Sequence, residues 1–392
     1  MDLTVEQQKI LSGGEGPVLA KCLQTLVTYG RAFNAARLVP IKSAHLTGSF
    51  RISSFNGYYQ LLEKIADAGL KVKVPTTLNP HPGFDFALQN RLVFKGQKHH
   101  ETLMDRIGVT PNYSCVCYFD ANVPDFGDTL GWAESSAIIY ANSVIGARSN
   151  RNSVMVDICL ALTGVAPEFG FLLQENRGGD LLIHLDIETM DAPALGYLLG
   201  KVCVERTPVI DSTYKFSAIE LKNMGAAMAS SGGVSLFHIV GQTPEAPTLE
   251  AAFQAQEPRE ILTITQNDIN EVRASHRVQK ESKAVAFGCP QMTLEEANHV
   301  AEYFVGKKVK KATLFHLMPD AYDRFAQSYL GIEVKKAGVK IYNHCPLAGM
   351  SLRIGIGKQQ VLTNSAKLYY YLDGTKYGDL DDLLKICGVV DR

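Results

Sequence analysis

The chain has 392 residues, of which 46% are hydrophobic and 20% charged, and its formal net charge is -1 at pH 7. This size and composition suit a globular protein with two or three domains, and the near-neutral charge gives no basic surface for nucleic acid. No apolar run approaches the roughly 18 residues of a membrane span, and the N-terminus lacks a signal-peptide pattern. The eight cysteines are dispersed, so we expect a cytoplasmic protein with free thiols or metal ligands.

The first stretch predicts two helices and a loop. Thr4 and Gln7 form a capping-box pattern for a helix that ends near Leu11. Ala36–Gly57 is rich in small and polar residues, and we predict a loop of the kind that lines sites. Its His45 is a candidate catalytic residue, although a lone histidine is more often a packed one. A longer helix between these two segments has one apolar face, made of Leu19, Cys22, Leu23, Leu26 and Val27.

A helix at Tyr58–Ala68 and a strand at Lys71–Pro75 come next. They lead into a proline-bounded turn at 75–80 that presents hydroxyl and amide groups, namely Thr76, Thr77 and Asn79. These side chains either bind substrate or simply form the turn. His99-His100-Glu101 lacks the HExxH spacing of a zinc site.

Tyr113–Phe119 reads as a strand, which places Cys115 and Cys117 on one face. Two thiols so arranged either ligate a metal or serve as small apolar groups in a core. The sequence offers no second CxC or CxxC pair to complete a zinc site.

Gly131–Arg151 is the most unusual stretch. Helical spacing would put Ser135, Asn142 and Ser149 in one polar stripe, and Glu134 near the start suits the helix dipole. Small residues keep such a helix thin, so the stretch is either a site or a close helix–helix contact. Its end carries donors able to hold a carboxylate or a phosphate, which are Arg148, Asn150 and Arg151.

The middle of the chain predicts a helix at Val154–Thr163 and strands at Leu181–Ile187 and Val234–Val240. Ser230–Gly233, just before the last of these, is either an anion-binding nest of backbone N–H groups or a plain tight turn. Gly241–Glu260 contains three prolines and reads as a linker.

Residues 261–346 alternate apolar runs with amphipathic segments, which predicts strands of a parallel sheet joined by helices. The predicted helices are 267–278, 293–305 and 319–336, and Thr293 with Glu296 gives the second one a capping box. The predicted strands are Ile261–Thr265, Ala284–Phe287, Thr313–Leu317 and Val339–Tyr342.

Cys289-Pro290 and Cys345-Pro346 follow two of these strands. Ligand sites of open α/β sheets lie at the carboxyl edge of the strands, so the two thiols are either brought together at a site or buried beside turn prolines. We predict domains at 1–250 and 261–346, with 347–392 packing back on the core.

Taken together, these stretches resemble the large catalytic subunit of the aconitase X family. The resemblance covers nearly the whole chain, and its longest match is the stretch 131–151. The shorter matches occur in the family's order: PTTLNP at 75–80, LFHIVGQTPEA at 236–246, GCP at 288–290, CP at 345–346 and TNSAK at 363–367.

The resemblance implies an aconitase-like multi-domain α/β fold, with parallel or mixed sheets flanked by helices, and a dehydratase. It implies an iron–sulfur cluster of 4Fe-4S, 3Fe-4S or 2Fe-2S type, held by Cys115, Cys289 and Cys345. Three thiolates leave one iron without a protein ligand, or a cluster lacking that iron. An open iron would act as a Lewis acid on a substrate hydroxyl.

The remaining site residues are predicted from the stretches described above and from residues 363–367, where Lys367 is either a substrate ligand or an ordinary surface lysine. The candidate catalytic residues are Ser135, Asn142, Lys367 and His45. The candidate substrate-binding residues are Thr76, Thr77, Asn79, Glu134, Ser136, Arg148, Asn150 and Arg151. Related aconitases use a serine on a swivelling domain, and no part of this chain reads as that domain. We therefore expect a separate small swivelling-domain subunit as partner.

Two departures lie beside the implied cluster ligands. Cys117 stands where the family commonly has proline, and Gln291 stands where it commonly has histidine. Known members dehydrate either mevalonate 5-phosphate, in a two-subunit form, or cis-3-hydroxy-L-proline, mostly in a fused form. Of these two small hydroxy acids, the length of the chain favours mevalonate 5-phosphate. An iron-responsive regulatory protein and an inactive scaffold with structural thiols are the alternatives of other classes.

Overall fold

The computed structural model describes residues 1–48, 56–81, 83, 91–275, 282–351 and 361–390. Helices alternate with strands along these ranges, and the strands form three parallel sheets and one antiparallel pair. The predicted α/β class, with parallel sheets flanked by helices, is therefore confirmed. Across the described ranges, no helix is both long enough and apolar enough to cross a bilayer.

The first region contains a three-stranded parallel sheet of order β3-β2-β4 and the antiparallel pair β1-β5. The capping box of Thr4 and Gln7 is confirmed, and the five predicted apolar residues of the second helix are all buried. The helices are α1 (Val5–Leu11), α2 (Pro17–Ala32), α3 (Asn56–Asp67), α4 (Arg91–Arg106), α5 (Ser135–Tyr140) and α6 (Val154–Thr163). The strands are β1 (Leu38–Pro40), β2 (Ser43–Thr47), β3 (Thr76–Asn79), β4 (Leu130–Trp132) and β5 (Val165–Pro167).

The predicted loop Ala36–Gly57 is wrong for its first part, since β1 and β2 lie there; residues 49–55 are outside the described ranges. β2 is the central strand of its sheet, and its polar side chains find buried partners there. The indole Nε1–H of Trp132 donates to Ser43 Oγ at 3.2 Å, for example. Tertiary burial thus overrides the loop-like composition. The predicted strand Lys71–Pro75 is also wrong, because the strand begins at Thr76.

Tyr113–Phe119 is not a strand but a loop that ends in a 3₁₀ turn, Cys117–Phe119. The backbone N–H of Cys115 donates to the side chain of Gln291 at 3.0 Å, and that of Val116 donates to Ser114 Oγ at 3.2 Å. At these two residues, side chains accept the bonds that a neighbouring strand would have accepted.

Gly131–Arg151 is not one helix. α5 continues as a π-helical turn, Ala141–Ile145, and ends at Gly146 with φ 77 in the left-handed region. Ser149 lies beyond the helix but still meets Asn142, whose amide donates to Ser149 O at 2.9 Å and accepts from Ser149 N–H at 2.8 Å. Asn142 and Ser149 of the predicted stripe thus meet although the helix ends at Ile145, and Ser135 forms no hydrogen bond with either of them.

The second region is a four-stranded parallel sheet of order β8-β7-β6-β9. Its strands are β6 (Leu181–Asp186), β7 (Pro208–Asp211), β8 (His238–Ile239) and β9 (Glu260–Thr265). Its helices are α7 (Ala192–Cys203), α8 (Ala218–Gly232), α9 (Leu249–Ala252) and α10 (Gln266–Ser275).

Three predictions change in this region. The run Ile261–Thr265 belongs to this sheet and not to the later one, since β9 pairs with β6 over six residues. Val234–Val240 is a strand only at β8, and the linker Gly241–Glu260 contains α9. The helix predicted at 267–278 is confirmed as far as Ser275, and residues 276–278 lie outside the described ranges.

The third region is a five-stranded parallel sheet of order β12-β11-β10-β13-β14. The capping box of Thr293 and Glu296 is confirmed. The strands are β10 (Ala284–Met292), β11 (Ala312–Leu317), β12 (Lys340–Tyr342), β13 (Val361–Thr363) and β14 (Thr375–Tyr377). The helices are α11 (Leu294–Ala301), α12 (Pro319–Gln327), α13 (Tyr329–Ala337), α14 (Pro346–Ser351), α15 (Ala366–Tyr371) and α16 (Leu380–Cys387). The segment after residue 347 thus adds two strands to this sheet, and the predicted domain boundaries stay a prediction.

A large core joins the second and third regions and includes the segment around Cys115, whereas most of the first region packs around its own core. Helices α7 and α8 approach closely at glycines. A Cβ added at Gly196 would lie 2.1 Å from Met224 O, and one added at Gly232 would lie 1.8 Å from Gly200 O. Only hydrogen side chains fit there, and the backbones of α7 and α8 can therefore pack directly against each other.

Candidate active site

Three cysteine-bearing segments converge from two regions of the fold. Cys115 lies in the loop before the 3₁₀ turn, Cys289 lies within β10, and Cys345 lies between β12 and α14. β10 and β12 both flank β11 in one parallel sheet, so their carboxyl ends share an edge. The N–H of Cys345 donates to His81 O at 3.1 Å, which ties this edge to the segment after β3.

Cys115 and Cys289 are buried and Cys345 is half-buried, and the three thiols are close enough to influence one another. Burial raises the pKa of Cys115 to about 12, and the positive charge of Lys367 opposes this rise. Burial also raises the pKa of Cys289 and that of Cys345. The charge of Cys345 acts on both of the other thiols. The structure thus brings the three predicted ligands to one place.

Backbone N–H groups point at two of these sulfurs. Gln291 N–H donates to Cys115 Sγ at 3.3 Å, and Ala348 N–H donates to Cys345 Sγ at 3.5 Å. Such bonds favour the thiolate form, which is the form that binds metal. Within the described ranges, no three His, Cys, Asp or Glu side chains are grouped closely enough to hold a single metal ion.

A buried ion pair lies beside the thiols. Lys367 Nζ donates to Glu134 Oε1 at 2.6 Å and to Ser136 Oγ at 3.1 Å. Asn79 Nδ2 donates to the second carboxylate oxygen at 3.0 Å, and Ser136 Oγ donates to Glu134 Oε1 at 2.9 Å. Ser136 Oγ also lies 3.4 Å from the Cys115 carbonyl oxygen, so the pair is connected to the cysteine loop.

Local structure explains how the two charges meet. Glu134 is the N-cap of α5 and accepts from Ser136 N–H, while Ser365 is the N-cap of α15 and accepts from Leu368 N–H. Lys367 therefore lies in the first turn of its helix. The hydroxyl of Ser365 also donates to the Cys289 carbonyl oxygen, which docks this helix start on β10.

Both groups of the pair are ionised at neutral pH. Burial alone would raise the pKa of Glu134, but the charge and hydrogen bond of Lys367 outweigh it and lower that pKa to about 2. Burial likewise opposes the charge of Lys367, yet Glu134 and the nearby thiols raise its pKa. Lys367 is thus a fixed positive charge next to the three sulfurs.

His45 points an unpaired nitrogen into the same neighbourhood. Its Nδ1 lies 2.7 Å from Thr77 Oγ1, which also accepts from Asn122 Nδ2 at 3.0 Å. Its Nε2 is buried without a hydrogen-bond partner. Burial lowers the pKa of His45 to about 4, against the opposing charge of Glu134, so the imidazole is neutral. A buried nitrogen without a partner points to a ligand.

Other predicted residues have different partners. Thr76 Oγ1 donates to Val74 O at 2.8 Å, and the side-chain amide of Asn142 bonds to backbone atoms of Ser149 and Ser235. Ser135 is half-buried in the first turn of α5. Ser230–Gly233 is the C-terminal end of α8 rather than an N–H nest, and a helix C-terminus repels anions.

The predicted phosphate donors point elsewhere as well. Arg148 donates to Leu172 O and to Gln174, and Asn150 donates to Phe169 O at 2.9 Å. Arg151 is exposed and donates to Ala229 O at 3.3 Å. These groups fix loops of the fold, and their contacts do not connect them to the thiols.

Sequence reasoning missed two contributors to the site. Ser365 stands within the TNSAK motif, whose serine-before-helix pattern was the available signal. Gln291 was noted only as a departure beside GCP, yet its backbone and side chain both contact Cys115. Nothing local in the sequence reveals that contact.

A cavity of about 1000 Å³ opens next to Cys289. It lies between the start of α8, helices α11 and α12, and the stretches 287–290 and 364–366. Cys115, Glu134 and Lys367 do not line it, so it adjoins the thiol site at one sulfur only. Its position gives a route from solvent toward Cys289.

Two curated relatives and one solved structure match nearly the whole of this chain. It is 34% identical to the phosphomevalonate dehydratase large subunit of Methanosarcina mazei, over 97% of this chain and 96% of that protein. It is 29% identical to the cis-3-hydroxy-L-proline dehydratase of Hypocrea jecorina, over 95% of this chain but 65% of that protein. The crystal structure of Thermococcus kodakaraensis aconitase X (holo-form) superposes with a TM-score of 0.88 at 28% identity, covering 98% of this chain and 99% of that one.

Family sequence models divide the chain in the same order as its sheets. The aconitase X first domain matches residues 1–175, the second domain residues 179–274 and the third domain residues 282–386. The first match contains Cys115 and Glu134, and the third contains Cys289, Cys345 and Lys367. With all three domains and a relative at 34% identity, the chain belongs to the aconitase X family.

Proposed function

We propose that this chain is the large subunit of a phosphomevalonate dehydratase, which removes water from mevalonate 5-phosphate to give an alkene. The convergence of three cysteine side chains, two of them on buried residues, around the Lys367–Glu134 pair carries the proposal. The match to nearly all of an archaeal large subunit supports this substrate over cis-3-hydroxy-L-proline, whose dehydratase is covered to 65%. The latter stays the second candidate, because that relative matches 95% of this chain.

Cys115, Cys289 and Cys345 would hold an iron–sulfur cluster. The donor set fits, since cysteine thiolates are the usual cluster ligands and N–H groups already point at two of the sulfurs. When bound, a cluster with one iron free of protein ligands supplies a Lewis acid for the departing hydroxyl group.

Lys367 would bind the carboxylate of the substrate. Its ammonium group is buried, positively charged and beside the thiols, which suits an anionic substrate in a dry site. Glu134 orients that ammonium group through a 2.6 Å contact, and Asn79 with Ser136 orients Glu134. The negative charge of Glu134 also limits the net charge of the pocket.

His45 would contact the hydroxyl group that leaves. Its Nε2 is buried without a hydrogen-bond partner, and its neutral ring avoids a second positive charge next to Lys367. Thr77 fixes the ring through Nδ1. The proton on the carbon beside the carboxylate needs a separate base, because Glu134 with a pKa of about 2 is too weak at neutral pH.

We place that base on a small partner subunit. The relative from Methanosarcina mazei is named a large subunit, which implies a small one. Ser135, half-buried at the start of α5, is the candidate within this chain. The cavity beside Cys289 is the side from which a partner group would reach the site.

The test is an anaerobic assay of the iron-loaded chain, with and without its small subunit, on mevalonate 5-phosphate and on cis-3-hydroxy-L-proline. We expect alkene formation from the first substrate only, and only with both subunits. Cys289→Ser should abolish the visible absorbance of the cluster, whereas Cys203→Ser, a buried thiol at the end of α7, should retain it. A colourless wild-type protein would refute the proposal. Turnover of cis-3-hydroxy-L-proline without turnover of mevalonate 5-phosphate would refute it as well.

A further inference from the structure

Gln291 is a buried residue whose every polar group has a partner. It is 1% exposed and lies in the last part of β10, two residues after Cys289. Its backbone N–H donates to Cys115 Sγ at 3.3 Å, and its side-chain Oε1 accepts from Cys115 N–H at 3.0 Å. Its Nε2 lies 3.3 Å from both Leu317 O and Asn343 O.

These bonds reach all three cysteine-bearing segments. Cys289 is on the same strand as Gln291, Cys115 is bonded directly, and Asn343 precedes Cys345 by two residues. Leu317, the fourth partner, ends the strand between β10 and β12. A single amide thus spans the gap between a loop of the first region and two strands of the third.

The carbonyl oxygen of Gln291 is held from the opposite side by a buried charge. Lys222 Nζ donates to it at 3.0 Å and to Glu296 at 2.5 Å. The Lys222 side chain is fully buried, and Asn223 Nδ2 donates to the other oxygen of Glu296 at 3.2 Å. Gln291 is therefore anchored by α8 and α11 as well as by its own strand.

We propose that Gln291 is a positioning residue that sets the spacing of Cys115, Cys289 and Cys345 through these bonds. The proposal deepens the function proposed above, because that spacing determines how tightly the three thiolates grip a cluster. Groups that orient metal ligands by hydrogen bonds typically change metal affinity by about 10- to 100-fold when removed. Hydrogen bonds to cluster sulfurs and ligand geometry also tune the spectrum and potential of a cluster.

Two substitutions test the oxygen and the nitrogen of the Gln291 side-chain amide separately. Gln291→Met keeps the length of the side chain but removes both polar atoms. Gln291→Glu keeps an acceptor for Cys115 N–H and places a second oxygen against the carbonyls of Leu317 and Asn343. The matched control is Gln242→Met. The side-chain amide of Gln242 also accepts from a backbone N–H and donates to a backbone carbonyl oxygen, both of Phe216, and it lies away from the cysteines.

The first measurement uses the full chain, loaded with iron and sulfide under anaerobic conditions and then challenged with a chelator. We expect Gln291→Met to lose iron about 10- to 100-fold faster than wild type, with a changed visible and electron paramagnetic resonance spectrum. Gln291→Glu should lose iron at an intermediate rate, and Gln242→Met should match wild type.

The second measurement uses the iron-free chain, so it does not depend on the cluster. Hydrogen exchange at the Cys115 amide should be at least about tenfold faster in Gln291→Met, because a lost hydrogen bond exposes the N–H. Gln291→Glu should leave that amide near the wild-type rate. Wild-type behaviour of Gln291→Met in exchange and iron release would overturn the inference. If the wild type takes up no iron, the proposed function fails, and the exchange data alone decide the role of Gln291.

Discussion

Removal of the Lys367 charge is the sharpest test of the buried pair. Lys367→Met leaves the ionised Glu134 buried, 9% exposed, with Asn79 and Ser136 as its remaining partners. The pKa of Glu134 lies at about 2 against an ordinary 4.5, which corresponds to about 3 kcal/mol. Loss of one partner of a buried ion pair generally costs about 3–5 kcal/mol. We therefore expect the free energy of unfolding to fall by about 3 kcal/mol at pH 7.

The pH dependence has a definite sign. A carboxyl group whose pKa is lower in the folded state contributes stability that is complete above its unfolded pKa and is lost as the pH falls through its folded pKa. For Glu134 that window runs from about 4.5 down to about 2. The difference between wild type and Lys367→Met should thus be about 1 kcal/mol smaller at pH 4 than at pH 7.

The assay is urea unfolding of the iron-free chain, followed by circular dichroism, for a double-mutant cycle. Glu134→Gln keeps the shape and the acceptor oxygen of residue 134 but removes its charge. Lys367→Met should cost much less in that background than in wild type, because no buried carboxylate is left unpaired. Equal costs of Lys367→Met in the two backgrounds would refute the reasoning on the ion pair.

Three further predictions concern the packing and the site. His45→Gln should lower kcat/KM of the two-subunit enzyme by about 100-fold or more while changing the free energy of unfolding by about 1 kcal/mol, that of its bond to Thr77; kcat/KM within twofold of wild type would contradict the role given to His45. Gly196→Ala should lower the free energy of unfolding by about 2 kcal/mol or more, because its Cβ would meet Met224 O at 2.1 Å; an unchanged urea midpoint would show that α7 and α8 separate freely. Gly57→Ala, where the added Cβ meets nothing within 4 Å, should be neutral or stabilising by up to about 1 kcal/mol, and a marked loss of stability there would contradict the open space around α3.

Local sequence signals specified the elements that depend on their own residues. The capping boxes at Thr4 and Thr293 start helices where predicted, and the apolar periodicity of α2 identifies its buried face. These succeeded because a cap and a helical stripe are satisfied within about one or two turns of chain. The motifs around Cys115, Cys289 and Cys345 likewise indicate one shared site.

Elements whose hydrogen-bond partners are far away in the sequence were not predictable from local signals. β9 reads like the strands that follow it, yet it pairs with β6, and Tyr113–Phe119 reads like a strand although the N–H groups of Cys115 and Val116 bond to side chains. The pairing of a strand and the hydrogen-bond partners of a loop depend on which distant segments pack beside them. Local composition does not contain that information.

The sequence by itself determined the family and the α/β class, because these rest on motifs and periodicity that are contiguous in the chain, and through the family resemblance it predicted Cys115, Cys289 and Cys345 as the cluster ligands. Only the tertiary structure decided that Lys367 meets Glu134, 233 positions away, and that Arg148 and Asn150 fix loops instead. It also decided that Gln291 bonds to Cys115, 176 positions earlier. The physical reason is that a buried charge or amide must form an ion pair or hydrogen bond within the fold. The groups that supply these bonds to Lys367 and Gln291 lie far from them in the sequence.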